Sequence, residues 1–187
     1  MKAQHSDSLI LIWRLAELEA RNVKASTIEP AHLFLGLCKS VDIDLTTIVS
    51  KESTNRDEMI EEFLREVRRV RTIFRAVGLD ARTFRRALRR KCVVDRCVGD
   101  RIAPSETKSL HRSQAAKQIF ADAEQIAEIG NSVVFPVHLL SAAIATKDDV
   151  RDDLMKQSGV EPARLKKTAM HEAMFAGRSK KPSVGLN

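Results

Sequence analysis

Two histidines occur in the same short pattern, and histidine is a common choice for metal binding or proton transfer near neutral pH. His32 lies in IEPAHLFLGL, and His138 lies in VFPVHLLSAA, 106 residues further along the chain. Each follows a proline by two positions and precedes a leucine within an apolar stretch. An imidazole in the first turn of such a helix can hydrogen-bond the neighbouring backbone. We therefore interpret both histidines as structural, with a catalytic or metal-binding role as the alternative.

Three cysteines are the next candidates for chemistry: Cys38, Cys92 and Cys97. The last two form C-x4-C without a second pair or a nearby histidine, which is poor spacing for zinc. An odd number of cysteines in a chain without a secretory signal also argues against a disulfide framework. The P-loop, G-x-S-x-G and H-E-x-x-H motifs do not occur. We therefore predict that this chain is not an enzyme and holds no metal or cofactor.

Basic charge is concentrated in residues 65–91. This stretch has ten Arg and one Lys against Glu66 and Asp80, a net charge of +9, so the remaining residues sum to −2 within the total of +7. Three interpretations are open: a solvated helix face, a docking surface for an acidic protein segment, and binding to nucleic-acid phosphates. The stretch has no interleaved aromatic platform for bases, which disfavours the third. The candidate partner-binding face consists of Arg75, Arg82, Arg85, Arg86, Arg89 and Arg90.

Composition and apolar spacing predict an all-α protein of about eight helices. The chain is 43% hydrophobic and 30% charged, and it contains only 7 Gly among 187 residues. In the first helical pattern, Leu11, Leu15 and Leu18 follow the spacing of a buried stripe, as do Ile12, Ala16 and Glu19 on an adjoining line. No apolar run approaches the roughly 20 residues that span a bilayer, and the N-terminus lacks the apolar core of a secretion signal. We expect a cytoplasmic location and no membrane partner.

The sequence indicates two copies of one helical repeat. Pro30, His32, Gly78 in the first half match Pro136, His138, Gly159 in the second, and we interpret these six residues as structural markers of the repeat. Pro136 follows Pro30 by 106 residues, whereas Gly159 follows Gly78 by only 81. The first copy therefore contains 25 more residues than the second between its markers, and we place this insertion within 40–73. We predict one domain over 1–175 with pseudo-two-fold symmetry. Its parts are a four-helix repeat at 6–91, a linker at 92–109, a four-helix repeat at 110–175, and a flexible tail at 176–187.

The duplicated order of motifs resembles the Clp N-terminal (repeat) domain of Clp-family AAA+ unfoldases. In each copy an Ala-rich helix leads to Ile28 or Val134, four residues before the His-Leu pair, and Gly-Leu-Asp or Gly-Val-Glu opens the last helix. The resemblance covers roughly residues 6–175. It implies a protein-protein interaction module that binds substrates or adaptors for a Clp-type ATP-dependent unfoldase or protease. Its partner would be a protein or peptide: a substrate, an adaptor or the AAA+ unfoldase itself.

Two alternatives remain open at this point. The chain could be a small basic regulatory or nucleic-acid-associated protein that reuses the same fold. It could also be either free-standing or part of a longer ATPase.

In some Clp N-terminal domains a glutamate just before the His helps to bind phosphorylated arginine, and here those positions are Ala31 and Val137. We predict that this binding mode is lost, because a guanidinium group has no anionic partner at either position.

Overall fold

The computed structural model describes residues 4–44, 56–94 and 110–176, and these residues form eight α-helices and two strands of two residues each. The predicted all-α class and the number of helices are confirmed. None of the described helices is long and apolar enough to cross a membrane. The elements are α1 Asp7–Asn22, β1 Thr27–Ile28, α2 Pro30–Ser40, α3 Arg56–Val77, α4 Ala81–Val94, β2 His111–Arg112, α5 Gln114–Ile129, α6 Pro136–Ala145, α7 Asp149–Gln157 and α8 Pro162–Phe175.

Equivalent helices of the two copies begin with the same local signals. Ser6 and Ser113 are the N-caps of α1 and α5, and each side chain accepts a hydrogen bond from an amide N–H in the first turn. Pro30 and Pro136 are the first residues of α2 and α6, where the missing N–H of proline has no intrahelical partner to lose. The starts of these four helices therefore follow from residues adjacent to them in the sequence.

The turns between helices also repeat. Gly78 separates α3 from α4 with φ of +80°, and Gly159 separates α7 from α8 with φ of +74°. A residue with a side chain rarely adopts this left-handed conformation, so glycine is needed at both turns. Lys24 and Asn131 have positive φ at the corresponding positions after α1 and α5.

Helix packing shows the approximate two-fold relation between the repeats. α1 packs on α2 as α5 packs on α6, and α2 packs on α4 as α6 packs on α8. Between the repeats, α3 packs on α8 and α4 packs on α7, while α2 and α6 meet each other at the centre. Exchanging the two repeats therefore reproduces this pattern of packing. The buried apolar residues form one cluster that includes members from both repeats, so the two copies share one core.

Short extended segments cross between the repeats, and we call their contacts the crossed pairings. β1, which precedes α2, pairs in parallel with β2, which precedes α5 of the other repeat. His5, which precedes α1, forms the equivalent parallel bridge with Val134, which precedes α6. In addition, the amide of Ser6 donates to the carbonyl of Val134, and the amide of Ser113 donates to the carbonyl of Ile28. Each repeat thus supplies a backbone segment that the other repeat hydrogen-bonds.

Two predicted boundaries need correction. The linker predicted for 92–109 begins too early, because α4 continues to Val94 and the side chain of Cys92 still packs against the core. The tail predicted for 176–187 also begins too early, since Ala176 is buried and its carbonyl accepts a hydrogen bond of 2.8 Å from Arg69 Nη1. Residues 95–109 and 177–187 lie outside the described residues.

The insertion predicted within 40–73 overlaps α3. This helix has 22 residues, whereas its counterpart α7 has 9. Because Gly78 and Gly159 align the C-terminal ends of the two helices, the extra length of α3 lies at its N-terminal end. Residues 45–55 of the predicted insertion lie outside the described residues.

Candidate functional site

The arginine-rich face lies on the C-terminal half of α3 and on α4. Phe84 and Leu88 are buried, and they hold one side of α4 against the core. The side chains of Arg75, Arg86 and Arg90 are exposed, and we call these three residues the exposed arginine group. They are the members of the predicted face that a partner can reach without disturbing the ion pairs described next.

Arg89 is 38% exposed, and its guanidinium pairs with a buried carboxylate. Its Nε and Nη2 atoms donate to Glu19 Oε2 and Oε1 at 2.7 and 2.6 Å. Glu19 is fully buried on α1, and Lys39 Nζ lies 3.8 Å from the same carboxylate. A bidentate pair of this kind fixes both the distance and the orientation of the two groups. Arg89 therefore joins α4 to α1, and it is a structural contact within the predicted binding face.

Arg82 and Arg85 share one carboxylate at the end of α2. Arg82 Nε lies 3.4 Å and Arg85 Nη2 lies 3.8 Å from Asp42 Oδ2. The charge of these two arginines is thus partly neutralised within the molecule. Among the described residues, the predicted face of six arginines therefore divides into the exposed arginine group and three arginines that contact Glu19 or Asp42, of which Arg82 keeps a side chain that is 63% exposed.

The two histidines make matching contacts at the starts of α2 and α6. His32 Nδ1 accepts from the amide of Glu29 at 2.9 Å, and His138 Nδ1 accepts from the amide of Phe135 at 2.9 Å. Both residues are fully buried. His138 Nε2 also donates to the carbonyl of Ala173 on α8 at 3.2 Å. These are the backbone contacts on which the structural interpretation of the pair rests.

The stability of the domain is expected to fall by about 2 kcal/mol between pH 7 and pH 5 because of His138. Burial lowers the pKa of His138 from its ordinary 6.5 to about 4. Between these two values the unfolded chain binds a proton that the folded chain does not, so stability rises with pH. The contribution is fully present above pH 6.5, falls as the pH decreases towards 4, and changes no further below that.

Urea unfolding of the wild type and of His138→Gln at pH 7 and pH 5 checks this expectation. The variant should show a smaller difference between the two pH values, whatever its stability at pH 7. His171→Gln is the matched control, because the side chain of His171 is 70% exposed. An unchanged pH difference in His138→Gln would contradict the prediction.

The remaining candidates for chemistry are buried or separated from one another. Cys38 is fully buried, and burial raises the pKa of its thiol far above the ordinary value. Cys97 lies outside the described residues. In the part of the chain that the structure describes, no group of three or more His, Cys, Asp or Glu side chains is placed to hold a metal ion.

Sequence reasoning missed a buried arginine in the second repeat. Arg151 on α7 is only 1% exposed, and its guanidinium lies 5.8 Å from the ring centre of Phe34. Its Nη1 and Nη2 atoms donate to the carbonyls of Ala143 and Thr146, at 2.6 and 2.9 Å, where α6 ends. Its Nε and Nη2 atoms donate to Asp152 Oδ1 at 2.9 and 2.7 Å. Arg151 therefore caps the C-terminus of α6.

The first repeat contains a counterpart that the sequence could have disclosed. Arg71 on α3 donates through Nη2 to the carbonyl of Val41, the residue that follows α2. Arg71 on α3 thus donates to a carbonyl at the end of α2, as Arg151 on α7 donates to carbonyls at the end of α6. The two arginines therefore lie on equivalent helices and cap equivalent helices. Arg71 precedes Gly78 by 7 residues, and Arg151 precedes Gly159 by 8. An alignment of the two repeats on these glycines therefore places the two arginines one position apart.

A cavity of about 510 Å³ opens beside the N-terminus of α1. Its walls come from residues 4–11, from the N-terminal half of α3 and from residues 133–135. Among the described residues, three carboxylates and no lysine or arginine line it, and we call it the acidic cavity. No pattern in the sequence indicates this cavity, because its walls lie far apart along the chain and meet only in the folded domain.

Comparison with known proteins identifies the fold. No model of a known protein family matches the sequence, and a search of curated proteins finds no relative by sequence. The N-terminal domain of Hsp104 from Candida albicans matches with a TM-score of 0.60 at 18% identity, over 95% of this chain and 94% of that chain. A protein of a malarial secretion system matches with a TM-score of 0.60 at 18% identity, over 92% of this chain and 96% of that chain. The chain has the fold of a Clp N-terminal domain, as the resemblance in sequence predicts.

Proposed function

We propose that this chain is a protein-interaction module that binds substrates or adaptors for a Clp-type ATP-dependent unfoldase or protease. The observation that carries the proposal is a fold shared with the Hsp104 N-terminal domain over nearly the whole length of both chains. The Clp N-terminal fold is non-catalytic and serves protein interaction. Binding would raise the concentration of a substrate near the unfoldase without chemistry of its own.

The proposal includes the domain organisation predicted from the sequence. Residues 6–91 and 110–175 would form two repeats of a single domain, which acts in the cytoplasm. The crossed pairings and the shared core support treating the two repeats as one unit. Because α2 of the first repeat packs on α6 of the second, either repeat alone would expose the surface that it buries in this contact.

The exposed arginine group is the surface that we propose for a partner with an acidic segment. Guanidinium groups pair with carboxylates in a planar, two-pronged geometry, and a basic surface speeds the approach of an acidic partner. Arg75, Arg86 and Arg90 are exposed, whereas Arg82, Arg85 and Arg89 already contact carboxylates of this domain. Among the described residues, none of the first three forms an ion pair that binding would have to break.

A charge-reversal experiment tests this proposal. The triple variant Arg75→Glu, Arg86→Glu, Arg90→Glu is expected to bind a purified Clp-type unfoldase or its adaptor at least about ten-fold more weakly in biolayer interferometry. The matched control is Arg65→Glu, Lys147→Glu, Lys156→Glu, which makes the same change of charge at other exposed sites. Equal weakening by both triple variants, or no binding by the wild type, would contradict the proposal.

The alternative is a basic regulatory or nucleic-acid-associated role, favoured by the net charge of +9 in residues 65–91. Ion pairing of Arg82, Arg85 and Arg89 leaves less of that charge available to phosphates. The same two triple variants discriminate, with a labelled DNA or RNA duplex as the probe. In this alternative the wild type binds with an affinity that falls steeply with salt, and the exposed-arginine variant has a smaller salt slope.

A further inference from the structure

The acidic cavity combines apolar walls with negative charge. Its apolar lining consists of Leu11, Met59, Ile60, Phe63, Val133 and Phe135, and its carboxylates are Asp7, Glu62 and Glu66. Of these lining residues, Met59 is 44% exposed and Phe63 is buried. A volume of about 510 Å³ is enough for one or two large side chains. Such a cavity favours an occupant that is both bulky and apolar.

Glu66 is the carboxylate that favours a positively charged occupant of the cavity. Its carboxylate is almost fully buried and accepts hydrogen bonds from the hydroxyls of Ser6, at 2.8 Å, and Ser8. Both partners are neutral, and burial raises the pKa of Glu66 above its ordinary value. Among the described residues neither Glu66 nor Asp7 forms an ion pair with a lysine or arginine, whereas Glu62 pairs with the exposed Arg65 at 3.2 Å. A cation entering the cavity could therefore pair with these two carboxylates without displacing a lysine or arginine of the described residues.

The charge of the cavity is opposite in sign to the net charge of the chain. The chain carries a net charge of +7, and the exposed arginine group lies at the C-terminal end of α3 and on α4. The acidic cavity lies at the other end of α3, on the part of this helix that exceeds the length of α7. One molecule therefore presents a basic face and a separate acidic, apolar opening.

We infer that the acidic cavity binds a segment of a partner protein in which a bulky apolar side chain stands next to lysine or arginine. The apolar side chain packs among Leu11, Met59 and Phe63, and the neighbouring cation contacts Glu66 and Asp7. This inference rests on the proposed function, since it names the chemistry of one partner of the same interaction module. A cation that replaces water beside a buried carboxylate gains a charge-assisted hydrogen bond in a site of low polarity.

Fluorescence anisotropy with three dye-labelled decapeptides tests the inference. The first carries Phe-Leu-Lys-Arg in a Gly/Ser background, the second replaces Lys-Arg by Gln-Gln, and the third replaces Phe-Leu by Ser-Ser. The first is expected to bind, and each of the others to bind about ten-fold more weakly or less. Equal binding of the first and second peptides would overturn the inference.

Variants of the protein place the binding in the cavity. Glu66→Gln keeps the shape of the side chain and an oxygen for both serine hydroxyls, and it is expected to weaken the first peptide about ten-fold while leaving the second unchanged. Met59→Ser should weaken the first and second peptides alike. Asp153→Asn removes a carboxylate that is 68% exposed on α7, and it should change neither. Unchanged binding of the first peptide to Glu66→Gln would overturn the assignment.

Two further results separate the possible failures. Binding of the unfoldase or adaptor without binding of any peptide would overturn this inference and leave the proposed function standing. Residues 177–187, GRSKKPSVGLN, also contain basic residues together with Val184 and Leu186, although not side by side as in the first peptide. If deleting them raised the affinity for that peptide, the chain itself would be the occupant, and the assignment to a partner would be overturned.

Discussion

Replacing Arg151 by methionine is expected to lower the free energy of unfolding by about 3–5 kcal/mol, because it removes one side of a buried, fully paired network. The guanidinium donates to two carbonyls at the end of α6 and to Asp152, and all three acceptors lose their partner in the variant. Methionine can fill part of the volume, yet it offers no donor to these oxygens. A buried acceptor without a partner costs more than the net gain that its hydrogen bond supplied.

Urea unfolding followed by circular dichroism measures this effect. Arg164→Met is the matched control, because Arg164 is exposed and donates one hydrogen bond of 2.8 Å to the carbonyl of Ala76. The control is expected to lose no more than about 1 kcal/mol. A loss of equal size in the two variants would show that Arg151 does not stabilise the end of α6.

Replacing Gly36 by alanine is expected to lower the free energy of unfolding by about 3 kcal/mol, although alanine is the better helix former by about 1 kcal/mol. Gly36 lies in α2 where this helix crosses α1. A Cβ at this position would lie 2.7 Å from the carbonyl oxygen of Ile12 and 3.0 Å from the amide nitrogen of Ala16. Both atoms belong to the backbone of α1, so the two helices must move apart to admit the methyl group.

Gly130→Ala is the matched control for this experiment. Gly130 follows α5 with φ of −82°, and a Cβ there would lie 3.5 Å from the nearest atom, the carbonyl oxygen of Ala127. We expect its free energy of unfolding to change by no more than about 1 kcal/mol. Thermal unfolding of both variants decides the matter, since a Gly36→Ala protein as stable as the wild type would contradict the close approach of α1 and α2.

The helices and their order could be predicted because their signals are local. Pro30 and Pro136 mark first turns, and Gly78 and Gly159 occupy turns that need a positive φ. Each of these signals depends on the residue itself and its immediate neighbours. The start of the predicted linker was wrong because it depends on tertiary packing and not on a local signal. α4 continues past position 92, where the side chain of Cys92 packs on the core, and no neighbouring residue in the sequence indicates that contact.

The division of the arginine-rich face could not be predicted. The sequence places Glu19 on a buried stripe of α1, and a buried carboxylate requires a partner. Ten arginines in residues 65–91 could have supplied that partner, and only the packing of α4 against α1 selects Arg89. The acidic cavity is hidden for the same physical reason, because Glu66 and Ser6 are 60 residues apart and meet through tertiary structure alone.

The crossed pairings make the two repeats depend on each other. Because β1 and β2 come from different repeats, and the bridge between His5 and Val134 mirrors them, each repeat forms these backbone hydrogen bonds only with the other. A single repeat could form the same bonds only with a second copy of itself, in a symmetric homodimer with two identical exchanges. Joining both repeats in one chain makes the exchange intramolecular, so it does not depend on protein concentration. It also allows the two repeats to differ, as the described residues do in the lengths of α3 and α7.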